Sequence, residues 1–489
     1  MESNTSKVIK GISSQTMITF FVGIIDILVF SILSRLLDKE DFGLFASVLA
    51  ISVVFTSLSE AGIGAAIIQK KDANDKYINT AFTLSFILGV TFSILLFVLS
   101  SQISSLLSID RLTFPLQVMS ITILCNCLNS VNNGILYKRL AFLKIGAINL
   151  SSLVVSSAIS IFLAYKGLGY YSIIAKAVIA ALMSVSLSYI LAGQHYKFLI
   201  LKNEVKSIAN FAGWLTLGVI IRNLSHQADK LLMTSFLSIA SLGVYNRPKE
   251  FITSIVTKVN SIFDTVLFPV LSDIQNDNIK VKNAFNRSLY YLNLFSFLLV
   301  LTFVCNSDLI VRIFFGEKWL SIVPLFNTLS LFMLFYSDSR LCDCFFRSLA
   351  LVKQQFVLRI IELLITICAL LISFKWGVMG VACAVLFIQF TMVSIKIYIL
   401  SHKININLLC IIRTILVSWK IGLVLAPIMI TLIVVLPHNI VSDILIAFIY
   451  LLIIILIFNR YPRLVGSKYL EEGYDKLRMF ESKIISKFQ

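Results

Sequence analysis

The 489 residues are 58% hydrophobic and only 14% charged, with a mean hydropathy of +0.92, whereas a water-soluble domain carries roughly 25% charged residues. A soluble globular chain is excluded, and apolar runs of about 20 residues following one another at short intervals read as one membrane unit. The formal net charge of +17 would suit nucleic acid, but Lys and Arg are scattered through short interhelical loops and the tail, so membrane topology explains the excess better.

The first apolar run begins after Lys7 and Lys10 and continues to about Leu37, too long for the h-region of a cleavable signal peptide, and is expected to stay as the first span. With Gly, Pro and charge as punctuation, hydropathy places the first six spans at about 14–37, 43–69, 77–108, 112–137, 142–165 and 168–193. Eight more follow at about 207–237, 244–271, 285–306, 320–346, 354–375, 377–400, 409–436 and 440–459. The expected fold is an all-α polytopic membrane protein of about 14 transmembrane helices. The eight cysteines fall within apolar runs, where cysteine behaves as a small hydrophobe, so no disulfide is expected.

Each loop after an even-numbered span carries three Lys or Arg, among them Lys138, Arg359 and Lys396, against nine in all after the odd-numbered spans. The positive-inside rule then puts the even loops and both termini in the cytoplasm.

The stretch from Ser34 to Phe45 aligns with Thr234 to Tyr245 at an offset of 200. Leu140-Ala-Phe-Leu-Lys144 resembles Leu349-Ala-Leu-Val-Lys353, and Lys166-Gly-Leu-Gly169 resembles Lys375-Trp-Gly-Val-Met-Gly380, after a drift of about ten residues. Six crossings are even, so the two copies share one orientation, and parallel repeats about a central cavity are a transporter plan. The expected lobes are residues 1–200 and 201–405, each of six helices, followed by spans 13 and 14 over 406–460. A cytoplasmic tail covers 461–489; its Leu470, Tyr474, Leu477, Ile484 and Phe488 suit either an amphipathic surface helix or a solvated tail.

Ionisable residues within spans cost about 2.5 to 3.5 kcal/mol at mid-bilayer and therefore face protein or a wet cavity. They include Asp26 in span 1, Glu60 in span 2, Lys176 in span 6, Arg222, His226, Asp229 and Lys230 in span 7, Lys258 and Asp264 in span 8, Arg340 and Asp343 in span 10, and Lys420 in span 13. At about 100° per residue, Arg222, His226 and Asp229 make one stripe, Tyr336, Arg340, Asp343 and Arg347 another, and Asn126, Asn129, Asn133 and Tyr137 a third. Such groups can be helix-to-helix glue, as Arg340 with Asp343 or Arg222 with Asp229 would be. Taken together, cations on five spans exceed what glue requires and suit an anionic ligand such as phosphate. Asp26 and His226 are equivalent in the repeat, and both are able to carry a proton.

The histidines are too dispersed for a metal motif, no P-loop is present, and no loop clearly exceeds about fifteen residues, so neither an enzyme nor ATP-driven transport is expected.

Several stretches then combine: Ser34-Arg-Leu-Leu-Asp-Lys-Glu-Asp-Phe-Gly-Leu-Phe45, Glu60-Ala-Gly-Ile-Gly-Ala-Ala-Ile-Ile-Gln-Lys-Lys-Asp72, Tyr137-Lys-Arg-Leu-Ala-Phe142, Arg222-Asn-Leu with Asp229-Lys-Leu-Leu232, Phe268-Pro-Val-Leu-Ser272 and Phe315-Gly-Glu-Lys-Trp319. With them the sequence resembles the polysaccharide-transporter branch of the multidrug/oligosaccharidyl-lipid/polysaccharide (MOP) flippase superfamily. More narrowly, it is similar to O-antigen or colanic-acid type lipid-linked oligosaccharide flippases. One departure is that Ser225-His-Gln-Ala228 stands between the Arg-Asn-Leu and the Asp of span 7.

The resemblance implies two six-helix lobes in a V around a cavity lined by spans 1, 2, 7 and 8. It implies as substrate an undecaprenyl-diphosphate-linked oligosaccharide, carried to the outer leaflet of a bacterial inner membrane. In that frame Arg222, Lys258, Arg340 and Lys176 are expected to attract the diphosphate. Asp26, Glu60 and Asp229 are expected to couple the cycle to a proton or sodium gradient, with no bound cofactor. A polysaccharide polymerase and glycosyltransferases are the expected partners. Two alternatives stay open: an ion-coupled exporter of cationic drugs, which would favour a carboxylate-rich cavity, and a non-transporting scaffold of a glycan-assembly complex.

Overall fold

The computed structural model describes residues 4–435 apart from 61, 71, 72 and 276; the expected span at 440–459 and the tail over 461–489 lie outside the described residues. Those described are almost all helical and include no β-strand. In chain order the helices are α1 Asn4–Leu36, α2 Lys39–Glu60, α3 Ile63–Gln69, α4 Asp75–Leu106, α5 Thr113–Lys138, α6 Phe142–Tyr165, α7 Tyr171–Ala192 and α8 Lys202–Phe236. They continue with α9 Ile239–Ile274, α10 Asn278–Cys305, α11 Ser307–Phe314, α12 Val323–Ser348, α13 Val352–Ser373, α14 Gly377–Lys403 and α15 Leu408–Val435.

Among the described residues, 8 stretches are long and apolar enough to cross a membrane, the last of them, Lys353–Lys403, containing both α13 and α14. The 24 residues of α6 rise about 36 Å, more than the hydrocarbon thickness of about 30 Å. Side chains such as Ile94 (59% exposed), Ile190 (68%) and Phe387 (60%) point outward, an arrangement that costs nothing when the surrounding solvent is lipid.

Every expected span from the first to the thirteenth coincides with helix, but the second is not one rod. Gly62 adopts a left-handed backbone (φ 60°) and divides it into α2 and α3, a conformation that glycine reaches without a Cβ penalty. The divide leaves Glu60 as the last residue of α2. The linker after α10 also holds the short α11, which no apolar run announces.

At the start of α10, Asp277 accepts hydrogen bonds from the backbone N–H of Ile279 and Lys280, each 3.1 Å, and its carboxylate lies 3.0 Å from Lys280 Nζ. The backbone bond from Lys280, then its ammonium, hold the Asp277 carboxyl below the usual aspartate range.

Two compact units divide the chain. The first runs to Arg247 and includes Phe314–Lys318 and Arg359–Val381; the second comprises Pro248–Ile313, Trp319–Leu358 and the residues from Ala382. The core of the first joins Leu44, Val48 and Ile51 of α2 to Leu96 of α4, Leu116, Met119 and Ile123 of α5, and Ile174 of α7. In the second, Phe303 stacks on Phe326 and Phe251 packs tilted against both, and Trp319 is fully buried.

The internal repeat is visible in backbone detail. Both α5 and α12 have 26 residues, and each is followed by a left-handed residue, Leu140 (φ 54°) and Ala350 (φ 56°). The same bonds close both ends: Ala141 N–H to Leu136 O at 2.9 Å and Leu351 N–H to Phe346 O at 2.8 Å, the six-to-one bond of a Schellman motif. The backbone pairs Leu140 with Ala350, one residue away from the register read from the Leu-Ala side chains, because the turn conformation, not the side chain, fixes the position.

Candidate functional site

The α2 residues Leu49, Ser52, Val53, Thr56, Ser57 and Glu60 recur at helical spacing, so one face of the helix carries them all. That face lines a cavity of about 410 Å³ within the first unit, opposite Met119, Thr122, Asn126 and Asn129 of α5. A wall of Ala177, Ala180, Ala181 and Ser184 from α7 and the amide of Asn223 from α8 complete it.

The hydroxyls of α2 are oriented by their own helix: Ser52 donates to Val48 O (2.8 Å), Thr56 to Ser52 O (2.9 Å) and Ser57 to Val53 O (2.6 Å). Each hydroxyl has spent its proton and keeps acceptor capacity. Asn223 Nδ2 donates to Ser57 Oγ at 2.6 Å, tying α8 to α2. Asn129 Nδ2 donates to Ser184 Oγ at 3.4 Å, while its Oδ1 is buried without a hydrogen-bond partner.

Of the seven expected site residues, Glu60 alone lines this cavity. Lys176 of α7 and Arg222 of α8 each stand one position from a lining residue, Ala177 and Asn223, and so about 100° around the helix. Lys176 is half-buried and Arg222 exposed. Asp26 is half-buried on α1. Asp229 is buried and accepts the Tyr245 hydroxyl at 2.6 Å; the insertion before it leaves α8 continuous. Lys258 of α9 and Arg340 of α12 are half-buried and belong to the second unit. The four expected cations are thus shared, two and two, between the units.

The sequence reading missed a charged cluster inside the second unit. Lys396, assigned above to a cytoplasmic loop, lies within α14 and is fully buried. Its Nζ is 2.9 Å from Asp343 Oδ1, at ion-pairing distance though not at hydrogen-bonding angle, and donates to Ser339 Oγ at 2.7 Å. Beside it on α12, Asp338 accepts from Asn293 Nδ2 of α10 at 2.7 Å. Arg359, also counted as a loop cation, lies in α13 and pairs with Glu362 at 3.0 Å. A lysine inside the 377–400 apolar run was the available signal. Arg247, one of the nine cations counted in the loops after odd-numbered spans, is buried in α9, its guanidinium carbon 3.4 Å from the Phe30 ring and 4.0 Å from Phe42.

Among the described residues, no group of His, Cys, Asp and Glu could hold a metal ion.

A model of the family described as "polysaccharide biosynthesis protein" matches residues 32–324. The chain belongs to this family. Over 440 residues it is 26% identical to the lipopolysaccharide biosynthesis protein WzxC of Escherichia coli, covering 86% of this chain and 88% of that protein. Over 340 residues it is 26% identical to the teichuronic acid biosynthesis protein TuaB of Bacillus subtilis, covering 68% and 69%.

Among solved structures, the chain shares its fold with the lipid II flippase MurJ in an inward closed conformation, with a TM-score of 0.71, 17% identity, and coverage of 91% of this chain and 98% of that one. It also shares it with an inward-facing MATE-family multidrug transporter of the MOP superfamily, at TM-score 0.61, 12% identity, and coverage of 80% and 98%. The likeness to these two transporters is one of fold.

Proposed function

We propose that the protein is a flippase that carries undecaprenyl-diphosphate-linked oligosaccharide repeat units across the bacterial inner membrane, for O-antigen, capsule or exopolysaccharide synthesis. The observation that carries the reading is a cavity of hydroxyls and amides set between membrane-length helices, in a chain that belongs to the polysaccharide biosynthesis family.

The physical difficulty for such a substrate is taking a diphosphate and its sugars through hydrocarbon, where each unsatisfied polar group costs several kcal/mol. A wet polar path removes most of that barrier. Arg222, Lys176, Lys258 and Arg340 attract the diphosphate, while the polyprenyl tail stays in lipid. Rocking of the two six-helix lobes, 1–200 and 201–405, alternates access. Asp26, Glu60 and Asp229 couple that motion to a proton or sodium gradient, and both termini face the cytoplasm, where glycosyltransferases assemble the substrate.

The test is deletion in the host. Lipid-linked oligosaccharide should accumulate on the cytoplasmic face while the surface polymer is lost; unchanged surface polymer contradicts the proposal. One observation favours a second reading, an exporter of cationic drugs: the ionisable residue that lines the cavity is a carboxylate, Glu60. That reading predicts cation efflux from loaded vesicles, which the flippase reading does not.

A further inference from the structure

The cavity of the first unit has a chemistry that diphosphate binding leaves unused. Among the described residues its polar lining is amide and hydroxyl, no Lys or Arg is part of it, and Glu60 is its one ionisable residue. We infer that this cavity is the sugar subsite of the lipid-linked oligosaccharide, and that it accepts an uncharged or amine-bearing pyranose while discriminating against a hexuronate. The inference rests on the flippase reading for the identity of the ligand.

Three observations carry it. The first is hydrogen-bonding complementarity. A pyranose presents a ring of hydroxyls, each a donor and an acceptor. Ser52 and Thr56 have committed their protons to α2 carbonyls and offer acceptors. Asn126 and Asn129 line the same cavity with amide side chains, a group that both donates and accepts.

The second is size. About 410 Å³ falls in the range of small-molecule clefts, roughly 300 to 1,000 Å³, and holds a monosaccharide or disaccharide but not a whole polymer.

The third is charge. No cation among the described residues pairs with Glu60. An ammonium on a hexosamine supplies the missing counter-charge, and a neutral hexose hydroxyl donates to the carboxylate. A hexuronate would set a second carboxylate against Glu60 with no cation between them, and one of the two would have to take up a proton. Lys176 and Arg222, around their helices from the cavity lining, hold the diphosphate apart from this carboxylate. The division of labour is therefore cations for the phosphates and amides for the sugar.

The test measures binding, not flipping. The purified full-length protein is titrated by native mass spectrometry with short-prenyl diphosphate disaccharides that differ only in the second sugar: hexose, hexosamine or hexuronate. Prenyl diphosphate alone is the reference. The expected result is that the hexose and hexosamine compounds bind more tightly than the reference, and the hexuronate about tenfold more weakly than the hexose, about 1.4 kcal/mol. Glu60→Gln should close that gap, and Asn129→Ala should weaken the hexose compound toward the reference.

Hexuronate binding equal to or tighter than hexose overturns the proposal, as does a gap that survives Glu60→Gln or sugars that add nothing over prenyl diphosphate. The comparison on the native chain stands if either variant fails to fold. Each of these failures leaves the flippase reading intact if lipid-linked oligosaccharide still crosses a bilayer; loss of that crossing for every substrate overturns the flippase reading instead.

Discussion

Gly43 and Gly243, 200 positions apart, make reciprocal contacts: a β-carbon on Gly43 would overlap the carbonyl oxygen of Ile239, and one on Gly243 the carbonyl oxygen of Lys39. The exchange extends along both linkers. Ser47 Oγ meets Thr234 Oγ1 at 3.0 Å, while their counterparts, Arg247 Nη2 and Ser34 Oγ, meet at 2.9 Å. The two copies of the repeat therefore join here through a local two-fold, with glycine permitting the backbones to touch as small residues do between membrane helices.

That contact predicts that Gly43→Ala and Gly243→Ala each destabilise the protein by about 1 to 3 kcal/mol, since the overlapped atom is backbone and cannot rotate away. Gly213 has open space around it, and Gly213→Ala should be neutral or slightly stabilising. Thermal unfolding in detergent measures all three; an unchanged midpoint for Gly43→Ala contradicts the close approach.

Lys396 Nζ lies 2.9 Å from Asp343 Oδ1, and both residues are buried. Lys396→Met should cost about 3 to 5 kcal/mol, and adding Asp343→Asn should restore part of it, because removing one partner of a buried ion pair leaves the other charge buried without it. Denaturation of the single and double variants checks this. A double variant less stable than Lys396→Met would refute it.

Tyr245 donates to Asp229 inside the first unit. Tyr245→Phe leaves the carboxylate short of one buried donor and should destabilise by about 1 to 3 kcal/mol, measured by the same unfolding assay. An unshifted midpoint would show that this bond holds nothing.

At the entry to α10 the Asp277 carboxyl is held below its usual value by the bonds it accepts. Its folded-state pKa is depressed, so its contribution is present above the ordinary aspartate range and lost as pH falls through the lower, folded value. Asp277→Ala should therefore be less stable than the native chain near neutral pH, and the difference should shrink in acid. A difference that grows in acid would reverse that sign.

Much of this was legible in the sequence, for reasons that particular residues make plain. The α6 helix, Phe142–Tyr165, has the bounds its hydropathy predicts, because lipid demands an uninterrupted apolar run. The repeat was legible at Gly43 and Gly243, where contact fixes residue type. It slipped by one residue at Leu140, where a backbone turn tolerates many side chains. The asparagine stripe of span 4 located Asn126 and Asn129 in the cavity lining, since helical spacing shows which residues share a face. It did not locate Asn223 or Lys396, because spacing along one helix is silent about which other helix a polar face meets. For the same reason the cations were readable as a set but not by position: Lys396 and Arg359 turned out to be paired within helices, not topological markers in loops.

The central claim is translocation, and the most direct measurement is made in proteoliposomes holding the purified protein. Lipid-linked oligosaccharide is loaded on one leaflet and its exposure to an external glycosidase followed over time, with empty vesicles and Arg222→Ala as controls. The account predicts that the native protein changes the glycosidase-accessible fraction, and that Arg222→Ala, at an equal protein level, does not. No change in accessibility with any lipid-linked sugar tried, alongside efflux of cationic dye from the same vesicles, would contradict it.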